Sequence, residues 1–218
     1  DTVEKDKGEF FMGKIEIKKE NKRKDLLNAA FDLFISKGFH NTSIADIVGK
    51  AGIAKGTFYL YFKDKTDIRN RLISSKATQL FQNACLKLNQ TSLTRLDEQF
   101  IFLTDEILRA LKQDTSLLFF LSKHLSWGIF RSSMSEEKSP DGVSARELYE
   151  QLIARSGCRF ENPEIIIYLV IELVAGTSYN AILYQDPADI EELKPYLHTM
   201  IRRIVEDFDQ ALGTDACL

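Results

Sequence analysis

A chain of 218 residues with 44% hydrophobic content can bury a core without staples, and its three cysteines, Cys85, Cys158 and Cys217, are too scattered for a disulfide framework. The formal net charge of −3 excludes an indiscriminate polyanion binder of the histone type, but the charge is unevenly placed. Residues 14–71 hold 13 positive and 7 negative side chains, a net of +6, and residues 72–218 hold 14 against 21, a net of −7, so the first third suits a polyanionic partner unless its basic face is merely solvated.

The chain opens at Asp1 with no charged-then-apolar leader, so no signal peptide is expected and a reducing cytoplasm is the expected location. Residues 1–18 read as an N-terminal extension, the first dozen partly foreign to the natural chain. Strand signals are nearly absent, and the fold class expected is all-α. Leu26, Leu27, Ala30, Phe31, Leu33 and Phe34 form a helical stripe ending at Lys37-Gly38, a cation and glycine suited to a helix C-terminus. Ser43 with Asp46 three residues on makes a capping box, with Thr42 a competing N-cap, and Ile44, Ile47, Val48 and Ala51 give a short second helix one buried face. Gly49 loosens that helix by up to about 1 kcal/mol, and Gly52 stops it. A second short segment, 54–61, turns Phe58 and Phe62 inward, with Ile53 also assigned to the core. Asp64 then starts a long helix to about residue 88. Further helices are expected over 93–112, 115–130, 144–156, 163–184 and 187–212, with Pro163 and Pro187 in first turns and a mobile loop over 132–142. The stretch 165–184 is apolar enough to be mistaken for a membrane span, but Glu172 and Asn180 interrupt it, so it reads as a buried helix and no membrane partner is expected.

Two short helices joined by a turn at Lys50-Ala51-Gly52, behind a longer amphipathic helix, make a helix-turn-helix at about 43–62. Its outward residues, Lys55, Gly56, Thr57, Tyr59 and Tyr61, are mediocre helix formers, and DNA contact gives them a reason to be there. The runs Leu26-Leu27-Asn28-Ala29-Ala30-Phe31-Asp32-Leu33-Phe34, Gly38-Phe39-His40-Asn41-Thr42-Ser43 and 51–65, with Lys55-Gly56-Thr57-Phe58-Tyr59 at its centre, resemble the TetR-type DNA-binding signature over about 19–79. That resemblance implies a DNA-binding domain over 19–79 and a ligand-binding and dimerisation domain over 80–218. It further implies a homodimer on a palindromic double-stranded DNA operator, most often a repressor released by a small-molecule effector. It places Thr42 or Ser43 at the phosphate-facing start of the second helix, Lys55, Gly56 and Thr57 at the start of the recognition helix, and Tyr59 and Lys65 on phosphates.

The C-terminal body carries weaker signals. Phe100, Phe120, His124 and Trp127 are candidate pocket residues among a larger aromatic set, and Glu172 is a candidate for orienting a cationic or hydroxyl-bearing ligand unless it faces solvent or pairs with Arg202 or Arg203. By the resemblance, the last two helices build a four-helix dimer interface. His40, His124 and His198 lack paired ligand spacing, so neither metal nor cofactor is expected, and nothing marks Cys85 or Cys158 as a redox switch. No nucleophile–base motif or phosphate loop supports the rival reading of a helical enzyme or carrier, and an adaptor without DNA binding leaves the signature unexplained.

Overall fold

The computed structural model describes residues 2–124, 128, 129, 131 and 144–210, with side chains from residue 17 onward except those of 123 and 124. Its helices are α1 (Thr2–Ser36), α2 (Ile44–Ala51), α3 (Lys55–Phe58), α4 (Lys65–Leu88), α5 (Leu96–Gln113), α6 (Thr115–His124), α7 (Ala145–Ser156), α8 (Pro163–Leu183) and α9 (Ile190–Phe208). Among the described residues there is no strand, as the all-α reading expects. Packing divides the chain into two compact units, Asp1–Leu72 and Ile73–Leu218. The loop expected over 132–142 lies outside the described residues.

In the first unit, α1 begins far earlier than the apolar stripe predicts. Residues 14–25 are rich in Lys, Glu and Arg, good helix formers, and contain no glycine or proline, so the helix continues through what was expected to be an extension. Leu26, Leu27, Ala30, Leu33 and Phe34 are buried, and Phe31 is half-buried. They pack α1 against α2, whose Ile47 and Val48 are buried while Ile44 and Ala51 are half-buried. Phe58, Phe62, Ile68 and Leu72 complete this core. Each such side chain contributes about 1.5–3 kcal/mol when fully buried.

The ends of α2 follow from local chemistry. The Ser43 hydroxyl accepts the Asp46 N–H at 3.1 Å while the Asp46 carboxylate accepts the Ser43 N–H at 2.8 Å, closing the predicted capping box. At the other end Gly52 takes φ +66°, and the Ile53 N–H reaches the Val48 carbonyl at 3.0 Å, a Schellman arrangement that a side chain at position 52 would strain.

The second unit is built on α5, which packs against α6, α7, α8 and α9. Leu108, Ala181, Ile190 and Leu197 form one buried cluster from three of these helices. Two acids of α5 are buried with partners. Asp97 receives Arg95 at 3.0 Å and Arg202 at 3.2 Å, and Glu106 receives Lys87 at 2.6 Å and Arg109 beside it. Burial pushes the Asp97 carboxyl up, but the hydrogen bonds from Arg95 and Arg202 outweigh it and hold the group below its usual range. Arg202 is therefore committed to Asp97 and not to Glu172. Burial drives the Cys85 thiol up to about 12, the condition of an inert core cysteine.

Two helix starts test the proline reading. Pro163 occupies the first turn of α8 as expected. Pro187 instead precedes α9, because Asp189 caps that helix by accepting the N–H groups of Glu191 and Glu192 at 2.8 and 3.0 Å.

Candidate functional site

The reading segment of the helix-turn-helix is shorter than the helix expected over 54–61. Helix α3 covers Lys55–Phe58, and the chain continues in tighter turns, with the Leu60 N–H on the Thr57 carbonyl at 3.2 Å and the Tyr61 N–H on that of Phe58 at 2.9 Å. Phe58 and Phe62, 0% and 1% exposed with ring centroids 5.6 Å apart, anchor the segment from beneath. Ile53, expected in the core, is only half-buried.

With that anchor fixed, Lys55 and Gly56 are exposed, Tyr59 is 53% exposed, and Thr57 and Tyr61 are half-buried. A Cβ added at Gly56 would meet nothing within 4 Å. The protein's own packing does not call for a glycine there, and the lack of a side chain leaves the backbone open to an outside surface. Leu60, 75% exposed, is an outward residue that reasoning from charge and hydroxyls passed over. Its place opposite Phe58 and Phe62 was the available signal, and a bare apolar side chain in such a segment can meet a thymine methyl.

Three expectations at the edge of this surface need correction or refinement. Lys65 does not hold its ammonium out for phosphate. It donates to the carbonyls of Phe39 at 2.8 Å, Thr42 at 2.8 Å and His40 at 3.4 Å, and lies 4.5 Å from the centre of the Phe39 ring. All three of its N–H donors are thereby committed to the α1–α2 connection. Thr42 likewise turns inward: 1% exposed, its hydroxyl donates to the carbonyls of Gly38 at 2.9 Å and Leu33 at 3.3 Å. Ser43 is exposed, but its hydroxyl engages Asp46 at 2.6 Å and, with the Ser43 N–H, holds that carboxyl below its usual range. What α2 still offers at its start are the N–H groups of Ile44 and Ala45, which have no intrahelical partner.

Lys65→Met tests this assignment. Stranding carbonyls that accept a charged donor costs about 1.5–3 kcal/mol, so the variant is expected to unfold at correspondingly lower urea. The slope of its DNA affinity against salt is expected to match the parent's, whereas a lost phosphate contact lowers the slope by about one.

The second unit holds a cavity of about 300 Å³ walled by α4, α5, α6 and α8. Of the predicted ligand residues, Phe100 and Glu172 line it. Phe120 does not; it is 3% exposed and belongs to the core. Trp127 and the side chain of His124 lie outside the described residues. Leu103 and Thr104, one turn on from Phe100 along α5, and Ile107, two turns on, also line the cavity, and that helical spacing was the signal for them. Glu172 is exposed at the cavity and not buried, which is the solvent-facing alternative weighed for it.

A basic, outward-turned reading segment behind a capped second helix and a turn defines the class: a helix-turn-helix DNA-binding protein. The profile of the bacterial regulatory proteins of the tetR family matches residues 26–72. The HTH-type transcriptional regulator YdgC of Bacillus subtilis (strain 168) is 32% identical over 157 residues, which are 71% of this chain and 75% of that protein. Two solved structures share the fold. A TetR-family transcriptional regulator from Streptomyces coelicolor has a TM-score of 0.63 at 16% identity, over 86% of this chain and 99% of that one. The transcriptional regulator FadR from Bacillus subtilis, solved in complex with stearoyl-CoA, has a TM-score of 0.57 at 17% identity, over 83% and 96%. The chain belongs to the tetR family of bacterial regulatory proteins, and it is a DNA-binding transcriptional regulator, not an enzyme.

Proposed function

We propose that this protein is a ligand-responsive repressor that binds a palindromic operator as a homodimer in the cytoplasm, where its DNA lies. The unit Asp1–Leu72 is the DNA reader, with Lys55, Gly56, Thr57, Tyr59, Tyr61 and the start of α2 at Ser43 as its contact residues. The unit Ile73–Leu218 holds the effector and the dimer interface.

The observation that carries the homodimer is an uncovered apolar face. Helix α8 has a mean hydropathy of 1.7 over its most apolar window, yet only 33% of that window is buried. Ile165 and Tyr168 are 50% and 37% exposed on it, and on the neighbouring α9 Tyr196, Met200 and Phe208 are 72%, 47% and 56% exposed. Large apolar side chains clustered on two packed helices are costly in water and suit a self-complementary contact between two copies. A two-fold dimer presents two reading segments and so calls for two related half-sites. The effector role rests on the cavity, whose volume lies at the lower end for small-molecule sites, and on the complex of a similarly folded regulator with a fatty acyl thioester.

Sedimentation velocity at micromolar concentration tests the dimer beside a Tyr168→Asp, Met200→Asp variant. The expected result is a dimer for the parent and a monomer for the variant, with footprints on operator DNA covering two half-sites about one helical turn apart for the parent only. A monomeric parent, or a dimer indifferent to the two charges, overturns the interface.

A further inference from the structure

We propose that Glu172 and Arg203 form two reciprocal ion pairs across the dimer contact, seating α8 of one copy on α9 of the other and restricting the partner to a chain that carries both charges. The pairing rests on the reading of the open face as the contact between two copies, and it adds what selects the second copy.

Two uncommitted charges interrupt that face. On α8 the exposed positions Ile165, Tyr168, Glu172 and Ala175 recur at helical spacing, and on α9 Tyr196, Met200 and Arg203 do the same, so each outward stripe holds a charge among its apolar members. Neighbouring charges have partners within the chain: Arg202 lies 3.2 Å from Asp97, Glu164 2.6 Å from Arg131 and Glu206 3.6 Å from Arg95. Glu192, also exposed, sits in the first turn of α9, where the helix N-terminus suits an acid. Glu172 and Arg203 have no ion-pair partner among the described residues, although Asp207 stands exposed one turn beyond Arg203. Closing an apolar contact over a lone carboxylate and a lone guanidinium is costly, because each loses its water without gaining a counter-charge.

The fold places these two charges where a second copy can pair them. Helices α8 and α9 pack together and are joined by residues 184–189, so they run antiparallel. Counting from that connection, Arg203 lies level with Val170, about 3 Å from Glu172 along the helices. The exposed apolar side chains Ile165, Tyr168, Tyr196, Met200 and Phe208 are centred at the same level. A two-fold axis through that centre, whether it runs along the helices or perpendicular to the face, lays α8 of one copy on α9 of the other and brings Glu172 opposite Arg203 twice. The third choice, an axis crossing the helices within the face, sets Glu172 on Glu172 and Arg203 on Arg203, and like charges oppose it. The charges therefore select between arrangements that the apolar patch alone permits.

Sedimentation velocity of the full chain with reversed charges tests the pairing. Glu172→Arg and Arg203→Glu are each expected to weaken self-association by at least about a hundredfold. An equal mixture of the two is expected to restore a dimer within about tenfold of the parent, because opposite charges then face each other again in both pairs. The doubly reversed chain is expected to pair with itself and to exclude the parent. Both positions are exposed in the single chain, and circular dichroism reports the fold of each variant. Were Glu172 to act only on the cavity that it also lines, reversing Arg203 would rescue nothing. Single reversals that dimerise like the parent, or folded monomers that stay apart when mixed, overturn the pairing and leave the dimer contact standing. A monomeric parent overturns the dimer reading with it.

Discussion

Replacing Lys55, Thr57 and Tyr59 together by alanine is expected to reduce affinity for the operator by about a thousandfold, while affinity for random DNA falls far less. The estimate follows from the exposed, outward set described above: each base or backbone contact in a reading element is worth about 1–3 kcal/mol, and three at the low end already give more than a hundredfold. Phe58 and Phe62 carry the burial beneath these residues, and the edge contact of Tyr59 with Phe58 is worth about 0.5–1.5 kcal/mol. Thermal unfolding of the variant is therefore expected to move by only a few degrees, with the protein folded at the temperature of the DNA-binding measurement. Gel-shift titrations with the DNA upstream of the regulator's own gene, at several salt concentrations, measure the loss. Parent and variant binding that DNA equally well would remove the segment from the interface.

Phe58→Ala is the complementary change, with a large effect of the opposite kind. The ring is 0% exposed and sits between Tyr59, 5.4 Å away by centroid, and Phe62, 5.6 Å away. Truncating such a ring costs about 3–5 kcal/mol through lost burial and the cavity left behind. A domain of this size has about 5–15 kcal/mol in total, so the first unit should lose most of its margin. Hydrogen exchange is the discriminating measurement: amide protection is expected to collapse in α1–α3 and to persist in α8 and α9. Uniform loss along the chain would mean that the two units do not unfold separately.

The parts of this architecture governed by short-range rules were legible in the sequence. The stripe from Leu26 to Phe34, the Ser43–Asp46 box and the glycine after α2 each depend on residues within a turn or two of one another. The reading segment was legible for the same reason, since the spacing of Phe58 and Phe62 decides what must face outward. Lys65 shows where that legibility ends. Its sequence neighbours mark it as an exposed cation at a helix start, but its partners are carbonyls at Phe39 and Thr42, brought to it only when α1 and α2 have packed. Thr42 and Ser43 competed for one capping role, and the outcome turned on which hydroxyl the folded connection buries. The apolar helix around Glu172 misled in another way. A long apolar run reads as buried on every side, whereas α8 buries one face and leaves the other open. The committed acids, Asp97 and Glu106, were invisible because a charge inside an apolar stripe reveals its partners only across helices.

The ion pairs within the first unit bear on how its charge should be counted. Lys50 lies 2.8 Å from Asp32, Lys37 lies 3.5 Å from Asp46 and Arg71 lies 3.1 Å from Asp67. Lys65 is spent on carbonyls, whereas Lys55 and Lys63 have no ion-pair partner among the described residues, and Lys18, Lys19, Lys22 and Lys24 stand exposed along α1. When a duplex binds, the condensed counterions it sheds number only as many as the phosphates newly neutralised. The steepness of that polyelectrolyte effect is thus set by how many of these idle ammonium groups reach a phosphate in the complex, while the lysines and arginines already tied to carboxylates or carbonyls add to the count of positive residues without steepening it.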